Sequence, residues 1–545
     1  MPRIGPGDLQ AAGVRRWLAG HHAFPALLSL AVDGLRMGHE GPLPQGRYPN
    51  RVPLHQVKEV SALIARETRL GWLAPVPAHV PSAGNAPLMT TLKADGSVRL
   101  LMDFSNRDAA GTLRGVNGNV AVLEPSPMAR PKQLALAVRR LEEAYGEPPV
   151  LLVRDISKMY RRIGVDEGDV PAMHLVWQGQ SYVSTRAPFG HRSSSAAACS
   201  LTTAVAEALS ARMEGKATFL AYCDDTVCIA ARQHAAEAER LFTAAHADLG
   251  LPISVEKAAE AGSWATAATW LGFRHDTVAR THALTAERRQ ALQGELSQVL
   301  RAAQHAETVS RAAFQRLVGR LSHAATVFTA GRAFLVPFHA MLRQQGAALR
   351  VTPEARSDAA WWTAFLPRMP AVAAMRRAPG PAAEAWATDA SLTGLGGVRY
   401  KCLADAYAHR NPIQAFAVKL PKRHEPGEMM TLEAAAAELA VQLWAPRNAG
   451  AAVHLLVDNE ALSHCLQRGR AKAAPANAHV RRLLLHAAAV DAQVFARHLF
   501  STQNTAADAL SRQFESSPPP VASCLRAVLS PVTDCPRIHA CVPSL

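Results

Sequence analysis

Tyr222-Cys223-Asp224-Asp225 lies between two runs of apolar and β-favouring residues, Thr218 to Ala221 and Thr226 to Ala230. The pattern predicts a β-hairpin with two adjacent carboxylates at its tip. Like charges side by side repel, so a fold that places them there usually offers a compensating cation. A bare Asp-Asp is more often an exposed turn, but the context changes that reading. Another apolar run, Val150 to Val153, leads through Arg154 into Asp155. If these strands are neighbours in one sheet, three carboxylates converge at one edge and could hold paired Mg²⁺ ions. Two such ions about 4 Å apart activate an attacking oxygen and stabilise the leaving one in phosphoryl transfer. That is the chemistry of a nucleic-acid polymerase.

The 545 residues predict several domains, at roughly 100–200 residues each. Hydrophobic residues make up 49%, enough for buried cores, and the formal net charge of +15 suggests a polyanionic partner, with nucleic acid ahead of anionic membrane. No apolar run approaches the ~20 residues that span a bilayer, and the N-terminus has no signal-peptide pattern. An intracellular location, cytoplasmic or nuclear, is expected. The eight cysteines are scattered without a CxxC pair, which argues against a disulfide scaffold or a zinc knuckle.

Residues 1–75 read as largely helical. From His55 to Gly71 the spacing of Val57, Val60, Leu63, Ile64 and Leu70 predicts a core stripe. Leu88 to Lys93 and Val98 to Phe104 flank an Asp95-Gly96 turn and predict a hairpin. Lys93 and Arg99, one on each arm, are either solvated edge charges or a grip on a triphosphate. Tyr160, five residues after Asp155, is either a core tyrosine or a wall beneath an incoming sugar. Pro188-Phe189-Gly190-His191 precedes a small-residue helix, Ser193 to Ser210, in a pattern suited to a template-and-nucleotide platform. A helix from His234 to Leu249 should stop at Gly250, and Trp270-Leu271-Gly272-Phe273 reads as strand-like. Residues 281–350 read as helical and hold nine Arg against three Glu, a surplus that suits backbone phosphates or a solvated face.

Gly346 to Glu384, with five prolines, reads as a connector. Beyond it a second acidic set appears. Ala385 to Ser391 predicts a strand carrying Asp389, with Gly394, Gly396 and Gly397 turning the chain back. Glu433 is expected to open a helix to about Ala445, Val453 to Asp458 predicts a buried strand with a terminal Asp, and Asp508 lies in a short helix, Thr505 to Arg512. Any one of these four would more often be a cap or surface charge; the ordered set suits a second two-metal site. The Pro- and Ser-rich residues 514–545 are expected to be poorly ordered.

Lys93 to Asp103, Asp155 to Tyr160, Pro188-Phe189-Gly190, Tyr222 to Asp225, Lys257 and Trp270 to Phe273 resemble, in order and spacing, the successive motifs of a retroelement reverse transcriptase. Asp389, Glu433, Asp458 and Asp508 are similar to the carboxylates of the ribonuclease H domain that follows it. Arg497-His498 with Asn504 to Arg512 resembles the end of that domain in DIRS-like and gypsy-like retrotransposons, and Val116-Asn117 leans to the DIRS-like side. The resemblance covers about residues 75–513. It implies a mixed α/β (α+β) fold: a right-hand polymerase of fingers and palm (76–280) and helical thumb (281–345), then a connector (346–384) and a ribonuclease H-like mixed-sheet domain (385–513). Asp155, Asp224 and Asp225 would be the palm carboxylates. Each active site would take two Mg²⁺ ions, with Mn²⁺ as an alternative.

By the same resemblance Lys93 and Arg99 hold the triphosphate, Phe189 lies at the nucleotide, Tyr160 gates the sugar and Lys257 protonates departing pyrophosphate. Trp270 and Gly272 lie near the primer end, Arg311, Arg316 and Arg320 track the duplex, and His498 assists turnover. The implied partners are an RNA template, a DNA primer, an RNA/DNA hybrid and dNTPs. Two positions depart from the pattern: His191 stands where Leu is usual, and Leu499-Phe500-Ser501 stands where many relatives have an apolar residue and Pro-Gly. The competing reading is a decayed or domesticated copy that binds nucleic acid without catalysis. Retention of all seven carboxylates argues against it.

Overall fold

A computed structural model describes residues 7–43, 46–77, 84–92, 96–107, 115–121, 128–368, 375 and 379–529. The chain divides into two compact units, Met1–Leu271 with Asp276–Val278, and Gly272–His275 with Ala279–Leu545. Both are mixtures of helix and sheet, in keeping with the α/β class expected.

The first unit is organised on a three-stranded antiparallel sheet whose order is Val150–Asp155, Asp225–Ala230, Ala217–Tyr222. The central strand has a neighbour on each side, so Thr226 to Ala230 are all buried, which is why that run is uninterruptedly apolar or small. Tyr222 pairs with Asp225, leaving Cys223 and Asp224 as a two-residue turn with Cys223 in the left-handed region at φ 56°. The helix Arg192–Arg212 lies against this sheet through small side chains, among them Ser194, Ala198 and Thr202, which permit close approach.

The N-terminal segment contains the helices Ala11–Leu18, Phe24–Val32 and Val57–Arg69. In the last, Val60 and Ile64 are buried and Val57 and Leu63 half-buried; Leu70 falls past the helix end and is exposed, against the expected stripe. One apolar core runs from Val14 and Trp17 through to the carboxylate sheet. Trp17 donates its indole N–H to Asp248 Oδ2 at 2.9 Å, tying the first helix to the end of Ala235–Leu249. The Leu88–Leu92 and Val98–Met102 strands form the expected antiparallel hairpin, ending two residues before Phe104. Lys93 and Asp95 lie outside the described residues. Trp270-Leu271-Gly272-Phe273 is not one strand: the chain turns at Leu271 and Gly272, both at positive φ.

In the second unit a five-stranded mixed sheet has the order Pro412–Lys419, Gly394–Tyr400, Ala385–Ala390, Ala452–Val457, Gln493–His498. The first three strands are antiparallel and the last three run parallel. Gly394, Gly396 and Gly397 do not turn the chain; Ser391 to Thr393 does, and the glycines lie inside the strand. Their reason is clearance. A Cβ on Gly396 would sit 2.5 Å from Ser511 N and 2.9 Å from Leu510 Cβ, and one on Gly397 would strike the Phe416 ring. The helix carrying Glu433, Met429–Trp444, begins a turn earlier than expected.

The Arg-rich region forms the helices Ala286–Gln304 and Arg311–Ala324 around a core of Leu296, Phe314, Phe338 and Trp362. The expected connector contains a helix of that same core, Pro353–Phe365. Pro353 begins it, with Thr352 capping the N–H of Ala355, so this proline starts a helix and does not interrupt one. Arg481, from the helix Ala474–Ala489, forms a buried two-pronged pair with Asp358 at 2.9 and 2.6 Å and donates to the Ala333 carbonyl. The helical region and the five-stranded sheet are thereby joined within one unit. Within residues 514–529, Val521 and Leu525 are buried in one core with Ala415 and Ser523–Ala527 is helical, against the expectation of a poorly ordered tail. Residues 530–545 lie outside the described residues. No described helix is long and apolar enough to cross a membrane.

Candidate active sites

Because Val150–Asp155 and Asp225–Ala230 are antiparallel neighbours, the last residue of one faces the first of the other, and Asp155 pairs directly with Asp225. Asp224 is next to them on the turn, its carbonyl accepting from Ile156 N at 3.0 Å. Burial and the neighbouring charges of Asp224 and Asp155 push the Asp225 carboxyl up to about 7. Burial and Asp155 likewise raise Asp224. The compensating cation is Lys257, whose Nζ lies 2.5 Å from Asp155 Oδ2. Burial pulls the ammonium's pKa down, but the bond to Asp155 and the charges of all three aspartates outweigh it, and the net shift is upward.

The proposed nucleotide residues form a connected row beside this turn. Arg99 lies over the Phe189 ring, 5.6 Å from its centroid, and Phe189 meets Tyr160 edge to face at 4.8 Å. Cys223 donates its thiol to Tyr160 Oη at 3.6 Å. Tyr160 projects from a short helix, Met159–Arg162, and its half-burial raises the phenol's pKa, so it stays protonated. Gly190 is at φ 102°, and a Cβ there would strike the Met102 carbonyl, which explains the glycine of Pro188-Phe189-Gly190.

Trp270 is buried, donating to the Asp225 carbonyl at 3.4 Å, so it braces the carboxylate hairpin from within. A Cβ on Gly272 would collide with the Arg288 guanidinium. Arg311, expected at the duplex, instead spends its guanidinium on the carbonyls of Gly346 (2.6 Å), Leu342 (2.8 Å) and Gln344. Arg320 pairs with Glu295 at 2.7 Å, and Arg316 is exposed.

In the second unit, parallel pairing of Ala385–Ala390, Ala452–Val457 and Gln493–His498 brings Asp389, Asp458 and His498 to the same end of the sheet. Glu433 joins them from its helix: one ligand oxygen from each of Asp389, Glu433 and Asp458 lies within 4.8 Å of the others. Asp508 is outside that trio and pairs with Arg512 at 2.6 Å. His498 Nε2 lies 3.1 Å from the Asp458 carbonyl, which fixes the ring. Burial, offset by a hydrogen bond from Ser511, and then the charges of Asp458 and Asp508 leave Asp389 pushed up to about 8; Glu433 is raised well above the carboxylate range by burial and then by the charges of Asp389 and Asp458.

Glu433 Oε2 is buried without a hydrogen-bond partner among the described residues. An orphaned oxygen amid clustered acids is what a hard divalent cation satisfies, so this donor set fits Mg²⁺ or Mn²⁺. The first set fits less closely, since Asp155, Asp224 and Asp225 are not gathered to the same distance and Lys257 occupies an oxygen of Asp155. In a third grouping, His21, His22 and Glu207, two members, His21 and Glu207, form a hydrogen-bonded pair. His21 Nδ1 accepts from Ala23 N, so Nε2 carries the proton it gives Glu207. Sequence reasoning included Ser511 in the Asn504 to Arg512 stretch without giving it a role, and it missed the Cys223–Tyr160 bond, which has no local signal.

Residues 92–275 match the family described as reverse transcriptase (RNA-dependent DNA polymerase), a right-hand polymerase fold, and this match supports RNA-directed DNA polymerase activity. No curated protein matches the chain. Among solved structures, the chain is similar to a foamy viral protease-reverse transcriptase dRH in complex with double-stranded DNA, at 15% identity and TM-score 0.48, covering 89% of this chain and 81% of that one. It is also similar to the foamy viral protease-reverse transcriptase with double-stranded DNA, at 15% identity and TM-score 0.47 over 90% and 97% of the two chains. The foamy viral protein with an RNA/DNA hybrid gives 14% and 0.48 over 94% and 64%.

Proposed function

We propose that the chain is the RNA-directed DNA polymerase of a DIRS-like retrotransposon, with a gypsy-like element as second choice, and that it also degrades the RNA strand of RNA/DNA hybrids. The observation that carries the reading is the direct pairing of Asp155 with Asp225, with Asp224 on the adjoining turn, inside the stretch that matches the reverse transcriptase family. Asp155, Asp224 and Asp225 would hold the divalent ions of the first site, and Asp389, Glu433 and Asp458, with Asp508 nearby, those of the second. When bound, such ions supply Lewis-acid activation of the attacking oxygen and charge neutralisation at the leaving one.

The protein's own groups do the rest. Lys257 limits repulsion among the aspartates and can pass a proton to departing pyrophosphate. Arg99, backed by Phe189, offers its guanidinium to the dNTP phosphates. Tyr160 presents its ring to the sugar, where a 2′-hydroxyl would be crowded. His498, steadied by the Asp458 carbonyl, assists product release at the second site.

The test is a pair of substitutions in the full chain. Asp224→Asn should abolish primer extension on an RNA template while sparing hybrid cleavage, and Asp389→Asn should do the reverse. Loss of both activities from either change, in protein that still melts cooperatively, would overturn the two-site assignment.

A further inference from the structure

Ser511 is held in place more firmly than a helix-terminal serine needs to be. It ends the helix Thr505–Ser511, is fully buried, and its Oγ donates to Asp389 Oδ2 at 2.5 Å. Its own carbonyl accepts from Ser391 Oγ at 2.8 Å, so the loop after the Asp389 strand grips it from the other side. Two strand glycines exist where it docks. A Cβ on Gly394 would strike the Ser511 carbonyl oxygen, and one on Gly396 would sit 2.5 Å from the Ser511 nitrogen. Thus a hydroxyl, a tether and two missing side chains all serve one contact.

We propose that Ser511 is a positioning residue for the second carboxylate site, holding one oxygen of Asp389 so that the carboxylate is fixed in the orientation that meets Glu433 and Asp458. The inference rests on the divalent-ion reading of that site. An aspartate with one oxygen anchored cannot turn about its Cβ–Cγ bond. The trio is then arranged before an ion arrives, and binding does not have to order it. Ser511 touches neither the ion nor the nucleic acid; it acts through Asp389. The outward partner of the same helix, Asp508, is held separately by Arg512.

The experiment is Mn²⁺ binding to the full chain, followed by the loss of free-ion EPR signal, with Asp389→Asn defining the ions that belong to this site. Ser511→Ala should weaken that binding about tenfold, and hybrid cleavage should recover when Mn²⁺ is raised, a kcat retained behind a higher metal requirement. Ser511→Cys, close in size but a poor donor, should behave like Ser511→Ala and covers the case in which the alanine variant fails to fold. Parent-like Mn²⁺ affinity in a folded Ser511→Ala or Ser511→Cys protein would overturn the proposal. If Asp389→Asn removes no bound Mn²⁺ from the parent, the metal reading itself fails, and the positioning role falls with it.

Discussion

Gly396→Ala is the sharpest probe of the second site, because the structure sets its size. The added Cβ would lie 2.5 Å from Ser511 N, where ordinary contact begins at 3.4 Å. The obstacle is backbone, together with Leu510 Cβ at 2.9 Å, so no flexible side chain can swing clear. The helix Thr505–Ser511 must therefore retreat by roughly 1 Å. Overpacking of this kind costs about 1–3 kcal/mol, which a unit of this size should survive folded. The catalytic cost should be larger, because the same helix carries Asp508 and the serine that anchors Asp389. A misplacement of about 1 Å can cost ~100-fold in rate. Hybrid cleavage should fall on that order, while primer extension, which the proposed function assigns to carboxylates of the other unit, should stay near parental. The assay is a single-turnover cleavage time course beside primer extension on the same preparation, with melting followed in parallel. Parental cleavage in a variant that melts like the parent would refute the reasoning, since the helix could not then have moved.

Tyr160→Ala should relax sugar discrimination by about 1–3 kcal/mol, read as the ratio of single dNTP to rNTP incorporation rates; an unchanged ratio would leave Tyr160 as packing for Phe189 and Cys223 only. Arg316→Ala should reduce the salt slope of primer–template binding by about 1, whereas Arg311→Ala should leave that slope alone and lower the melting temperature, having released the carbonyls it caps. In metal-free protein Asp389 holds its proton to about pH 8, and the unfolded chain releases it near ~4. The native state then binds more protons across that window, so stability should fall as pH rises from 4 to 8, and added Mg²⁺ should raise the melting temperature more at pH 8 than at pH 6. Calorimetric scans at the two pH values check the sign.

The carboxylates are legible in the sequence because each follows an apolar strand run, and period and strand-end position are local signals. Those signals put Asp155, Asp389 and Asp458 at strand ends and Asp224 and Asp225 at a hairpin tip; that the strands are neighbours, and so bring the carboxylates together, is seen only in the strand pairings. What the pattern misplaces depends on neighbours distant in sequence. Gly394, Gly396 and Gly397 look like a turn until the helix Thr505–Ser511 and Phe416 are seen pressing on the strand. Trp270 reads as part of a strand-like run that the resemblance puts near the primer end, and nothing local shows that it is buried with its indole on the Asp225 carbonyl. Arg311 is assigned to the duplex by the basic surplus of its helices and by the resemblance, and neither reveals that a guanidinium is already engaged. Pro353 reads as a breaker because a proline's role depends on whether a helix follows it.

The two acidic sites solve the same electrostatic problem differently. At the first, Lys257 brings a positive charge onto Asp155, so the aspartates of the hairpin can remain close without an added ion. At the second, neither Asp389 nor Glu433 has an ion-pair partner among the described residues; Arg512, whose guanidinium feels the Asp389 charge, is given to Asp508. Burial without a cation leaves a proton as the resident neutraliser, which is why Asp389 is pushed up to about 8 and Glu433 keeps an oxygen without a partner. A divalent ion entering there must displace that proton and inherits its full Coulombic advantage in a low-dielectric setting. The ion entering the first site must compete with a lysine already in place. A buried acid cluster with no cation of its own is costly to fold around, and under the proposed function the serine anchor and the two glycines cleared for it would prepare that cluster for a divalent ion.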